Sequence, residues 1–159
     1  MKILTLLVLT FSVITLNSCK KKDPAPTATI TANINGTATT FNVHAMAAKG
    51  TLSGMTITTI QGTSSSGTNI SITLNGAVTA GTTYTAGTNT NTEPLLALTS
   101  TSDQFLNDDT STTNLVSVTI TSVSSTAIAG TFKGDLVSTN IGGTPTTKSV
   151  TNGKFSVSF

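Results

Sequence analysis

Apolar and hydroxyl-bearing residues alternate with a period of two through much of this chain, and that pattern admits strands and little else. Ile70, Ile72 and Leu74 alternate with Ser71 and Thr73, and Val116, Val118 and Ile120 alternate with Ser117, Thr119 and Thr121. Ile128, Phe132 and Leu136 fall on one face with Gly130 and Gly134 between them, opposite Thr131, Lys133 and Asp135. Phe155, Val157 and Phe159 alternate with Ser156 and Ser158. Strand side chains point to opposite faces in turn, so each segment offers one face to a core and one to water. No stretch keeps a helical period. Threonine fills 37 of 159 positions, and a β-branched residue with a hydroxyl suits a pleated, half-wet surface.

The breaks between these runs are turn chemistry. Asn35-Gly36 divides 29–34 from 37–46, and Asn152-Gly153 divides 149–151 from 154–159. Asn-Gly favours a two-residue hairpin turn because both positions need positive φ. Ser64-Ser65-Ser66-Gly67 makes a longer loop, and Met55-Thr56-Ile57-Thr58-Thr59-Ile60 slips its alternation between Ile57 and Ile60, which predicts a bulge there. The expected fold is all-β: an antiparallel β-sandwich, or a flattened barrel, of about eight to nine strands.

One segment stands outside this pattern. After Lys2, Ile3 to Leu16 is a nearly unbroken apolar run of 14 residues, shorter than the ~20 a helix needs to cross the hydrocarbon core. It has the length of a signal-peptide core and is set aside from the fold. The run closes in Leu16-Asn17-Ser18-Cys19, which contains the only cysteine of the chain. This resembles the lipobox of bacterial lipoproteins, with Asn17 the one unusual position. The resemblance implies cleavage between Ser18 and Cys19 and acylation of Cys19, which becomes the first residue of the mature chain. Each buried CH2 adds ~0.8 kcal/mol, so two or three acyl chains hold a protein on its membrane. The expected organisation is a signal peptide over 1–18, a lipidated tether over 19–26, and a single β domain over 27–159.

Charge divides along the same boundaries. Lys2, Lys20, Lys21 and Lys22 hold half of the eight basic residues. From Thr27 onward four lysines (Lys49, Lys133, Lys148, Lys154) meet five acids (Glu93, Asp103, Asp108, Asp109, Asp135), one net negative charge with no arginine. A nucleic-acid partner requires a basic face to neutralise phosphates, and the domain lacks one. The Lys20–Lys22 run reads as a solvated tether continued by Asp23-Pro24-Ala25-Pro26, with proline keeping it extended.

A second resemblance spans most of 34–159. It is carried by Ile-Asn-Gly-Thr (34–37), Ile-Gln-Gly-Thr (60–63), Ile-Ser-Ile-Thr-Leu (70–74), Ala-Gly-Thr-Thr-Tyr-Thr-Ala-Gly (80–87), Ile-Ala-Gly-Thr-Phe (128–132) and Thr-Asn-Gly-Lys-Phe (151–155). Together with the Cys-Lys-Lys-Lys-Asp-Pro start, these look like small Bacteroidota lipoproteins of unknown function. The resemblance implies an outer-membrane β domain, facing the periplasm or the surface, and carries over no site residue. Asp109-Thr110-Ser111 loosely resembles the acid-then-hydroxyl O-glycosylation pattern of that phylum.

Residues suited to chemistry are few. His44 is the only histidine and lies opposite Phe41 and Val43 in alternation, as a solvent-facing strand residue does; nothing in sequence supplies it with a nucleophile and an orienting acid. Asp103, Asp108 and Asp109 are the candidate cation ligands, but their spacing matches no calcium loop, and Asx residues favour turns by bonding their own backbone. Tyr84 is the candidate ligand-binding aromatic, against its reading as a capping or edge residue. The Thr-x-Thr pairs lack the fixed repeat of an ice-binding array, and the polar strand faces lack the apolar band of an outer-membrane barrel. The expectation is a lipid-anchored envelope protein, not an enzyme and without a cofactor, in an interaction or structural role with an envelope protein or glycan partner. The alternative is a glycan- or small-ligand-binding lipoprotein of an outer-membrane uptake system.

Overall fold

A computed structural model of the protein describes residues 27–87, 92–107, 113–139 and 144–159. The expected signal segment, Ser18, Cys19, the expected tether, Asp108, Asp109 and the 109–111 stretch that resembles a glycosylation pattern lie outside the described residues. Among the described residues eleven strands form: β1 (Thr29–Ile34), β2 (Thr37–Thr40), β3 (Val43–Leu52), β4 (Met55–Thr63), β5 (Asn69–Asn75), β6 (Thr83–Thr85), β7 (Leu95–Thr99), β8 (Gln104–Asn107), β9 (Ser117–Val123), β10 (Ala127–Ser138) and β11 (Thr147–Ser158). All pairings are antiparallel, and the main path of nine strands runs β2-β1-β11-β10-β8-β7-β5-β4-β3. The all-β expectation holds. Its architecture is the flattened-barrel form: one sheet curls until β3 and β4 face β11 and β1 across the core.

The alternation predicts which side chains fill that core. Ile70, Ile72 and Leu74 of β5 and Ile128, Phe132 and Leu136 of β10 point inward, where they meet Ile30, Phe41, Ile60, Leu96, Leu98, Val118 and Ile120. Each such side chain contributes about 1.5–3 kcal/mol through removal of apolar surface from water. Gly62 marks a tight point of the curl, where an added Cβ would stand 2.4 Å from the Phe41 carbonyl oxygen and 3.1 Å from Ile30 Cδ1.

Three local expectations are corrected. Asn152-Gly153 is no hairpin turn: β11 runs straight through it, and Asn152 (φ 53) forms a bulge, with Thr151 and Asn152 together opposite Lys133. The dipeptide still supplies positive φ, but β1 and β10 both pair with the far side, so the chain continues instead of reversing. Conversely, the bulge expected within 55–60 is absent, since β4 pairs with β5 in unbroken register from Ile57 to Thr63. Thr58 takes the inward position there at 1% exposure, and Ile57 stays half-buried on the outer side. Residues 37–46 are two strands, parted at Phe41-Asn42, because Phe41 turns into the core as the chain crosses from β2 to β3. The Asn35-Gly36 turn forms as expected, with φ of 50 and 81.

Candidate functional site

β10 is the branch point of the sheet. One side pairs with β11 over most of its length; on the other, Ile128–Lys133 pair with β9 and Leu136–Ser138 with β8. Gly134 and Asp135 sit where the two partners part. The 114–116 segment drops onto β10 here so closely that an added Cβ on Gly134 (φ +145) would lie 2.5 Å from Val116 Cα. Glycine is the residue that tolerates both this φ and this approach. The Asp135 N–H donates to the Asn114 carbonyl at 2.9 Å, and Asn114 Nδ2 donates back to Asp135 Oδ2 at 3.0 Å, which clamps the segment in place.

The fork leaves a cleft of about 520 Å³ lined by Thr85, Asn114, Leu115, Ser117, Lys133, Gly134, Asp135, Ser149, Val150 and Thr151. Four separate stretches supply it. Lys133 and Asp135 arrive from one face of β10 through the period of two, Ser149 stands opposite Asp135 on β11, and Ser117 pairs with Thr85 of β6. The β11 backbone is fixed beside the cleft by Asn35, whose Oδ1 accepts the Ser149 N–H at 2.8 Å and whose N–H donates to the Ser149 carbonyl at 2.9 Å. An ammonium, a carboxylate, an amide and several hydroxyls thus surround an apolar floor of Leu115 and Val150. Such a lining can hydrogen-bond a polar, hydroxyl-bearing molecule through donors and acceptors together.

Those residues singled out from sequence that are described lie elsewhere. Tyr84 is on β6 with its ring in the core at 8% exposure; its hydroxyl donates to the Ala77 carbonyl at 3.1 Å and accepts the Thr79 N–H at 3.3 Å. It pins the 77–79 loop and presents no open ring face for stacking. Phe105, an aromatic not singled out above, is likewise inward on β8 at 5% exposure. His44 is exposed on β3 in the left-handed region (φ 53), at a register slip between Val43 and Met46. Asp103 closes the β7–β8 turn, where its N–H donates to Ser100 Oγ at 3.2 Å, its carbonyl accepts the Ser100 N–H at 2.8 Å, and its carboxylate accepts Ser102 Oγ at 2.8 Å. Among the described residues no three His, Cys, Asp or Glu side chains gather where they could hold a metal ion. No helix of the described residues is long and apolar enough to cross a membrane.

The fork cleft was not anticipated from sequence. Its one local signal is Lys133-Gly134-Asp135, opposite charges two positions apart on the wet face of a strand, with glycine between them. No protein-family model, curated protein or solved structure matches this chain.

Proposed function

We propose that this chain is a lipid-anchored protein of the cell envelope, held on the outer membrane through acyl chains on Cys19, with a non-catalytic interaction or structural role for its β domain. The observation that carries the reading is the placement of the lone cysteine, directly behind Leu16-Asn17-Ser18 at the end of a 14-residue apolar run. The resemblance to small Bacteroidota lipoproteins supports the same reading. The tether of 19–26 then joins the anchor to a nearly neutral domain. Replacing Cys19 with Ala in the full chain tests this: palmitate labelling is lost and the protein leaves the membrane fraction. Continued labelling would refute it.

The fork cleft favours a second reading, a glycan- or small-ligand-binding lipoprotein of an uptake system. Lys133, Asp135 and Asn114 at a cleft of about 520 Å³ are its support. A thermal-shift panel of oligosaccharides on the full chain tests it. A positive shift abolished by Lys133→Met or Asp135→Asn is the expected result, and no shift across the panel would overturn it.

A further inference from the structure

We infer that the apolar tip of the β3–β4 hairpin rests on the lipid surface that holds the anchor. This rests on the acylation of Cys19 proposed above. Thr27 follows Cys19 by eight positions, a reach of at most about 29 Å. The end of the domain where Thr27 emerges is therefore held near the bilayer, and what lies at that end is within reach of the membrane.

Strand register identifies that end. Thr29 pairs with Ser156, and the antiparallel chain of β11 runs on from there to Phe159. β3 begins beside Ile30, where Phe41 donates its N–H to the Ile30 carbonyl at 2.8 Å. By Lys49 it has reached Phe159, whose ring lies 4.0 Å from the Lys49 ammonium. Three more residues carry β3 onward to Leu52, so the hairpin projects past the point where the tether leaves.

Its tip is apolar. Leu52 is 65% exposed and Met55 39%, across a tight turn at Ser53-Gly54 (φ 50 and 81), with Ile57 on the same outer face. The 76–81 loop lies alongside, joined by the Gly76 N–H to the Thr56 carbonyl at 2.8 Å, and brings exposed Ala77 and Ala80. Neither 50–60 nor 75–87 contains a charged residue. An uncharged apolar tip flanked by threonines, on a domain leashed at that same end, suits the boundary between headgroups and acyl chains, where amphipathic segments bury their apolar side.

The chain has no tryptophan, so one introduced residue reports its own depth. Full-length acylated protein carrying Leu52→Trp is reconstituted into phosphatidylethanolamine–phosphatidylglycerol vesicles with acyl-brominated lipid. A matching chain carries Ser65→Trp, in the loop at the opposite end of β4. Met55→Trp serves where Leu52→Trp fails to fold. The expected result is about twofold quenching at the tip, in keeping with a depth of ~5–10 Å, and none at position 65. Equal quenching at both positions, or none at either in vesicle-bound protein, would overturn the inference. A spectral shift at the tip that grows with protein concentration without vesicles would instead assign the surface to a second copy. Failure of the acylated protein to bind vesicles at all would count against the Cys19 reading.

Discussion

Gly130 of β10 and Phe155 of β11 are direct cross-strand partners, and the Phe155 ring covers the glycine so closely that an added Cβ would stand 2.6 Å from its Cζ. Two positions along, the arrangement is reversed: Phe132 covers Gly153, with its Cδ2 2.6 Å from where a Cβ would be. The two rings lie 6.4 Å apart at 30°. Each glycine is thus a slot for the phenylalanine opposite. Either Gly130→Ala or Gly153→Ala should lower unfolding stability by about 2–3 kcal/mol through overpacking, because a backbone carbonyl as well as the ring blocks the new methyl. Urea titration checks this, and Gly50→Ala, with nothing within 4 Å of its Cβ position, is the control.

Thr58 is the counterpart on the opposite side of the core. Its Oγ1 is buried and has no hydrogen-bond partner among the described residues. Leaving a hydroxyl unpaired costs ~1–3 kcal/mol, so Thr58→Val should raise stability by about 1–2 kcal/mol, read as an upward shift in the denaturation midpoint.

Two lysines share the inward strand face of a buried neighbour, exposed Lys49 with Ala47 and half-buried Lys148 with Val150, and each stacks on an aromatic ring. Lys49 lies over Phe159, and Lys148 lies 4.2 Å from the centre of Phe105. They differ in position, because β3 is an edge strand and β11 is internal. An inward charge on an edge strand opposes pairing with another chain. Lys49→Leu should therefore promote self-association in sedimentation velocity, whereas Lys148→Leu should leave the protein as it was.

Asn35 and Asn152 both take positive φ before a glycine, yet only Asn35 donates and accepts across to Ser149. Asn152→Gly should change stability by no more than about 0.5 kcal/mol. Asn35→Gly should cost about 1 kcal/mol, the net worth of one hydrogen bond. Asn152→Val should cost about 1–3 kcal/mol, since a β-branched residue resists the left-handed region. Chemical denaturation of the three variants ranks them.

Much of this follows from spacing alone. Ile128, Phe132 and Leu136 face the core with Gly130 and Gly134 between them because a strand repeats every two residues, whatever surrounds it. Asn35-Gly36 turns because two positive φ angles fit a twisted hairpin. Cys19 stands out for the same local reason, as a lone thiol at the end of an apolar run. Strand content, most inward faces and the residue proposed as anchor are all properties of short windows, and so are legible in local spacing. Tertiary structure decided the rest. Whether Asn-Gly reverses the chain or bulges it depends on which strands lie alongside, so Asn152 parts company with Asn35 once β1 and β10 both grip β11. The fork cleft draws on β6, β10, β11 and the 114–117 segment, and the hairpin tip gains its meaning from Lys49 reaching Phe159. Those are pairings between residues far apart in the chain, set by the closing of one curled sheet around a shared core.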